Sequence, residues 1–218
     1  MAKRLLDIGI SSVILTLLAL PLLLIAFAVK LVMGGPVLFR QLRIGRGGRA
    51  FWLYKVRTMK PCEGGSVITT EGDPRVTPLG RVLRRWKLDE LPQFWNILRG
   101  DMSLIGPRPE AERLIRYYTP EQRQLLEQTP GLASMSQLVY PHEVEILRGH
   151  PDPEEFYREQ LMPKKLAVDL DYERHRNFFS DLRLLMELVL FVAFGKSHRI
   201  DDTLRSSLGG KITSNGQP

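Results

Sequence analysis

The chain has 218 residues, 44% of them hydrophobic, and a formal net charge of +7 at neutral pH. That is enough chain for a membrane segment plus one soluble domain with a core, and the basic balance points to an anionic partner such as lipid headgroups, phosphorylated substrates or nucleic acid. A single cysteine, Cys62, excludes an intrachain disulfide framework and a multi-cysteine zinc site; beside Lys60-Pro61 it reads as a loop residue with no role.

From Ile8 to Val29 no residue is charged. As a helix this run of about 22 residues is about 33 Å long, enough to cross a hydrocarbon core of about 30 Å. A core helix of this length, apolar all round, needs a larger domain around it. A cleaved signal is another reading, with Lys3 and Arg4 as its basic start and Ala26-Phe27-Ala28 as its small-residue site. The run exceeds the usual length of such a segment, however, and stays apolar beyond Ala28. Lys3 and Arg4 precede the run while Lys30, Arg40, Arg43, Arg46 and Arg49 follow it, so charge draws both ends to the cytoplasm. Pro21 removes a backbone donor and favours a break, and Ser11, Ser12 and Thr16 are candidates to bond the freed carbonyls. These features predict a helix-break-helix that enters and leaves by one face. A kinked spanning helix stays open as the alternative.

Beyond Met33-Gly34-Gly35-Pro36, the segment VLFRQLRIGRGGRAFWLYKVRTM predicts two short strands around Gly45, Gly47 and Gly48. A Gly-, Ser- and Thr-containing loop lies between Pro61 and Gly72. TPLGRVLRRWKLDELPQFWNILRGD predicts two helices separated near Asp89, with Leu79, Val82, Leu83 and Trp86 on one face, then Leu91, Phe94, Trp95 and Leu98. IGPRPE predicts a rigid loop, followed by helices over 110–117 and 120–128. From Pro151 to Gly195 the pattern is helical apart from the opening prolines and Pro163. Leu182, Leu185, Met186 and Val189 lie on a recurrent face suited to a membrane interface or to packing on the N-terminal segment. The polar tail from Lys196 has little to bury and is expected to be partly disordered.

Read alone, Asp89-Glu90-Leu91-Pro92 is a helix start with Asp89 as N-cap and Pro92 in the first turn. Arg108, held between Pro107 and Pro109, reads as a surface residue, and Arg43, Arg46 and Arg49 as a solvated or lipid-facing basic stretch.

Taken together, KRLLDI, GPVLFRQLRIGR, YKVRTM, DPRVTPLGRVLRR, LDELPQFWNILRGDMSLIGPRPE and the later TPGL resemble the bacterial sugar transferase family, the monotopic polyprenyl-phosphate phosphoglycosyl transferases. The resemblance extends from Lys3 to about Gly195, and the chain looks like the family's minimal catalytic unit. It implies transfer of a sugar 1-phosphate from a UDP-sugar to polyprenyl (undecaprenyl) phosphate, with release of UMP. By the same resemblance Asp89 is the nucleophile that forms an aspartyl phosphosugar, Glu90 is the Mg2+ ligand, and Lys55, Arg84 and Arg108 bind phosphate. A carboxylate is an established phosphoryl acceptor, and one carboxylate with substrate phosphates suits magnesium.

The chain departs from the family pattern at three places. Leu20-Pro21 stands where Ser-Pro is frequent, PGLASMSQL replaces a Pro-Gly-Ile-Thr-Gly segment and leaves the sugar open, and Lys87 adds positive charge expected to favour ionised Asp89. The predicted fold is mostly α with a short β-hairpin (α+β). Its parts are a membrane re-entrant hairpin over 1–35, a cytoplasmic-face catalytic domain with interfacial helices over 36–195, and a polar tail over 196–218. The expected location is the bacterial inner membrane. Expected partners are the UDP-sugar, the polyprenyl phosphate, membrane lipid and a possible second copy in a homodimer, with no nucleic acid. The rival readings are a membrane-tethered nucleic-acid-binding protein, suggested by the charge and by Trp52, Tyr54, Trp86 and Trp95, and a catalytically silent membrane scaffold.

Overall fold

The computed structural model describes residues 2–61, 69–70, 72–141, 143–148 and 150–194. Cys62, most of the loop around it and the polar tail lie outside the described residues. Helices α1 (Ala2–Leu17) and α2 (Ala19–Met33) form the apolar segment. Pro21, the third residue of α2, has no N–H to give the Leu17 carbonyl and its ring crowds that carbonyl. The chain therefore turns at Leu18, and the two helices are bent by 61°. The break lies three residues before Pro21, and its angle makes an open bend rather than a hairpin. Of the three hydroxyl candidates, Thr16 Oγ1 donates to the Ser12 carbonyl at 2.8 Å, while Ser11 is buried with no partner for its Oγ. Among the described residues no single helix is long and apolar enough to cross a membrane; only the bent pair, taken together, is.

Both ends of this pair are tied to the same domain. Next in the chain come β1 (Leu38–Ile44), β2 (Ala50–Val56), α3 (Pro78–Arg85), α4 (Gln93–Arg99) and β3 (Ser103–Ile105). At the foot of α1, Lys3 Nζ donates to the Ile105 carbonyl at 2.9 Å, and Arg4 donates to the Ile97 and Leu98 carbonyls. Asp7 accepts the Leu104 N–H at 3.0 Å. Lys3 and Arg4 are thus bound to protein carbonyls and are not free flanking charges. At the foot of α2, Val29 is buried against Val56 and Leu83, and Arg57 beyond β2 donates to the Gly35 carbonyl at 2.7 Å.

Strands β1 and β2 pair antiparallel, Leu38 opposite Val56 and Ile44 opposite Ala50, across a turn in which Gly47 and Gly48 take positive φ. Helix α3 starts where Thr77 accepts the Gly80 N–H at 3.0 Å with Pro78 in the first turn. The predicted helix over 110–117 shortens to α5 (Glu112–Ile115), and that over 120–128 is a 3-10 segment, Gln122–Glu127. The chain continues through β4 (Gly131–Ala133), α6 (Met135–Val139), α7 (Glu143–Ile146) and α8 (Pro153–Phe156). Through π-helical Tyr157–Leu161 it reaches α9 (Met162–His175), and it then forms α10 (Phe178–Phe194). Pro163 does not interrupt the helix: it follows directly on the π-helical turn Tyr157–Leu161, the kind of local widening that accommodates a missing N–H.

Strand β3 pairs parallel with β4, Ser103 opposite Gly131 and Ile105 opposite Ala133. Parallel pairing puts the loops that leave both strands at the same end. The core beneath joins Phe51, Leu53, Phe94, Ile97, Met102 and Leu184, with Ile10 and Ile14 of α1 against it. On α10, Leu184 is buried and Leu185, Leu188 and Phe191 pack on this core, whereas Leu182, Met186 and Val189 of the expected face stay exposed. The helix is apolar on both sides, and only one side is covered by protein. The fold is mostly helical with small sheets, as expected.

Candidate active site

Three elements converge on the Asp89-Glu90 pair. Lys87 ends the α3 segment in the left-handed region (φ 54°, ψ 19°), a conformation uncommon for a residue with a side chain. The chain reverses there into a single 3-10 turn, Leu88–Glu90, and α4 begins only after Pro92. Asp89 is therefore not a helix N-cap. In a 3-10 turn neighbours diverge by about 120°, so the two carboxylates point apart.

Glu90 faces β2 and the loop after β3. Its Oε1 accepts from Lys55 Nζ at 2.9 Å and lies 3.7 Å from the Arg108 guanidinium. Asn96, fully buried on α4, holds this register: its Oδ1 accepts the Tyr54 N–H at 3.1 Å and its Nδ2 donates to the Trp52 carbonyl at 2.7 Å. The strand that carries Lys55 is thereby fixed to the segment that carries Glu90. Burial alone would raise the Glu90 pKa, but Lys55, Lys87 and Arg108 outweigh it and hold the carboxyl well below its usual range. Glu90 is ionised.

Asp89 is 7% exposed, and its Oδ1 is buried without a hydrogen-bond partner. Burial, then the charge of Glu90, push its pKa up against Lys55, Arg84 and Lys87. Lys87 does favour the ionised form, as the sequence suggested, yet burial and Glu90 outweigh it. Arg84, in the last turn of α3, donates from Nε to Thr58 Oγ1 at 2.9 Å. It reaches Asp89 through its field rather than by a bond.

Arg108 is no surface ornament. Burial works against its charge, but Glu90, Glu143 and Glu110 together raise its pKa above the ordinary value. Behind it Glu110 accepts from Tyr157 at 2.6 Å and pairs with Arg43 at 3.5 Å, while Lys165 bonds Glu143 at 2.5 Å. Arg43 is thus a paired, mostly covered residue, and Arg46 donates to the Glu127 carbonyl at 3.1 Å, so the basic stretch is largely structural. Ser134 and Ser136, in the PGLASMSQL segment that departs from the family pattern, are both buried. Their hydroxyls lie 3.0 Å apart, and Ser136 is bonded to Asp169.

All five expected residues therefore gather at one place: Lys55, Glu90 and Arg108 in contact, Asp89 and Arg84 beside them. The sequence reading missed Asn96, Thr58 and Asp169, polar residues whose importance comes from partners far along the chain.

The sequence pattern of the bacterial sugar transferase family matches residues 1–195. The chain belongs to the bacterial sugar transferase family. A UDP-glucose:undecaprenyl-phosphate glucose-1-phosphate transferase of Caulobacter vibrioides is 42% identical over 192 residues, covering 86% of this chain and 68% of that protein. The protein of the same description from Escherichia coli is 39% identical over 201 residues, covering 88% and 40%. A UDP-N-acetylgalactosamine-undecaprenyl-phosphate N-acetylgalactosaminephosphotransferase of Aeromonas hydrophila is 40% identical over 147 residues, covering 63% and 34%. This bacterial sugar transferase thus spans about two-thirds of the first relative and two-fifths or less of the others.

Proposed function

We propose that this bacterial sugar transferase moves a sugar 1-phosphate from a UDP-sugar to polyprenyl (undecaprenyl) phosphate through a covalent aspartyl phosphosugar, at the cytoplasmic face of the bacterial inner membrane. The observation that carries the reading is the division of labour in the acidic pair. Glu90 is committed to cations, while Asp89 holds a buried oxygen with no partner.

An Asp89 oxygen attacks the phosphorus that bears the sugar, and the bond to the UMP oxygen breaks. A phosphate oxygen of the polyprenyl acceptor then attacks the same phosphorus, the bond to Asp89 breaks, and the carboxylate is restored. Two displacements let one site serve a soluble donor and a lipid acceptor in turn. Lys55, Arg84 and Arg108 supply fixed positive charge for the oxygens that gain negative charge in each step. Asp89 must be ionised to attack, and the cations around it oppose the burial that would keep its proton.

The residues fit magnesium through Glu90: it is ionised, and its contacts to Lys55 and Arg108 fall on Oε1, which leaves Oε2 as a hard oxygen donor. No group of three or more His, Cys, Asp or Glu side chains arranged to hold a metal occurs among the described residues, so substrate phosphates and water would complete the shell. Bound there through Glu90, the ion would neutralise phosphate charge.

Two features support a re-entrant anchor: both feet of the α1–α2 pair rest on one domain, and Leu20, Leu23, Leu24 and Phe27 are exposed near the bend. The uncovered side of α10, with Phe178, Phe179, Leu182, Met186 and Val189, supplies a second apolar surface for the same bilayer.

The test is UMP release in detergent with undecaprenyl phosphate, Mg2+ and either UDP-glucose or UDP-N-acetylgalactosamine. Wild type is expected to turn over one of them, and Asp89→Asn to lose about a thousandfold or more. With donor alone, a mass increase of one sugar phosphate at Asp89 is expected. Equal activity in both proteins removes Asp89 as nucleophile.

A further inference from the structure

Thr58 has no part in the steps above, yet it is 5% exposed and sits just past the end of β2, the strand that carries Lys55. Its main chain is tied to the start of α3: the Thr58 carbonyl accepts the Thr77 N–H at 3.1 Å and the Thr77 hydroxyl at 3.3 Å, and Thr77 caps that helix. The far end of α3 returns to the same residue. Arg84, in the last turn, donates from Nε to Thr58 Oγ1 at 2.9 Å. Long side chains on a helix lean toward its N-terminus, which gives Arg84 the direction for that reach.

Three features of this bond bear on the chemistry. A basic side chain in the last turn ordinarily has the helix's own terminal carbonyls to bond, and the Thr58 hydroxyl draws Arg84 away from them. The bond also uses the Nε–H alone. A guanidinium carries five N–H donors in one plane, and among the described residues the two terminal nitrogens of Arg84 have no hydrogen bond or ion pair. With Nε held, the plane is set, and the free end keeps the parallel pair of donors that grips a phosphate with two bonds. Finally, the acceptor is neutral. A carboxylate in place of Thr58 would orient the arginine equally well and cancel its charge, whereas a hydroxyl orients it and leaves the charge for an incoming anion.

The end of β2 thus holds both flanks of the segment that bears Asp89, with Lys55 on Glu90 at 2.9 Å and Thr58 on Arg84. We propose that Thr58 is a positioning residue whose hydroxyl aims the free end of Arg84 at the diphosphate of the donor. This rests on the reading of Arg84 given under Proposed function. Thr58 touches no reacting atom and acts through Arg84.

The experiment is a double-mutant cycle of Thr58→Val with Arg84→Ala, with Thr58→Ser measured beside it. Valine keeps the branched shape and loses the hydroxyl, and serine keeps the hydroxyl. The cycle is read by UMP release and, separately, by calorimetric titration of UDP, with melting curves as the control for folding. Thr58→Val is expected to lower kcat/KM about twentyfold and to weaken UDP binding, while Thr58→Ser stays within about threefold of wild type in both. Placed on Arg84→Ala, Thr58→Val is expected to lower activity and UDP affinity no further, whatever it costs in melting temperature. Wild-type kcat/KM and UDP affinity in a folded Thr58→Val protein, an equal loss in the Val and Ser proteins, or full additivity with Arg84→Ala overturns the proposal. If Thr58→Val does not fold, Thr58→Ala enters the same cycle and is judged by the same criteria. Absence of UMP release from wild type would count against the proposed reaction, and the UDP titration would still read the coupling of Thr58 to Arg84.

Discussion

Adjacent carboxylates Asp89 and Glu90 are displaced in opposite directions, Glu90 held ionised by Lys55, Lys87 and Arg108 despite its burial, and Asp89 pushed up by burial and by Glu90 itself. A raised carboxyl binds its proton more tightly folded than unfolded. Its contribution to stability therefore declines as pH rises from about 3.8 through the folded value, and stays lost at neutral pH. Asp89→Asn carries no such cost. Thermal melts at pH 7.5 should find the Asn protein more stable than wild type, by on the order of 1 kcal/mol, with the gap closing as pH falls toward 4. A less stable Asn protein at pH 7.5 would contradict the buried, unpartnered state of the Asp89 oxygen. The same change that abolishes turnover is thus expected to strengthen the fold.

The placing of Arg84 depends on how closely α3 approaches the end of β2. Gly80 makes that approach possible, because a Cβ there would lie 2.1 Å from the Thr58 carbonyl oxygen. Thr58 is also the residue whose hydroxyl accepts from Arg84. Gly80→Ala should push the helix off the strand, cost about 2 kcal/mol by overpacking, and lower UMP release together with stability. Unchanged melting temperature would show that α3 shifts freely, and Arg84 would then need another anchor. The start of this helix was legible in sequence from Thr77-Pro78. Its close packing was not, since a glycine at one position says nothing about which backbone, twenty-two residues upstream, lies against it.

In the proposed membrane seat, the bend of α1 against α2 sets how far the molecule reaches into a bilayer. With helices of 16 and 15 residues bent by 61°, the apex stands about 12 Å from the line joining the two feet, well short of a hydrocarbon core of about 30 Å. The charges at Lys3 and Arg4 suggested a common side for both feet; in the structure their side chains are bonded to the carbonyls of Ile105 and Leu98. A nitroxide on Leu20→Cys, in a Cys62→Ser background, should report by oxygen and nickel collision a depth within one leaflet. Exposure to the far aqueous side would establish a span. Both feet on one domain, an exposed apex and the uncovered side of α10 support the proposal that the active site works next to a lipid-borne phosphate.

The amino-acid order by itself determined the apolar segment and its proline and the paired strands around the glycines, each written in side-chain chemistry and spacing over a few residues, which is where periodicity and turn preferences act. The acidic pair and Lys55, Arg84 and Arg108 were named as a site through the family resemblance, since local spacing alone reads them as a helix start and surface charges. Tertiary structure alone decided that Glu90 is the paired carboxylate and Asp89 the free one, that Arg43 serves Glu110, and that Asp169 binds Ser136. Those outcomes depend on burial and on partners tens of residues away, and the energy of a charge is fixed by what surrounds it rather than by its neighbours in the chain.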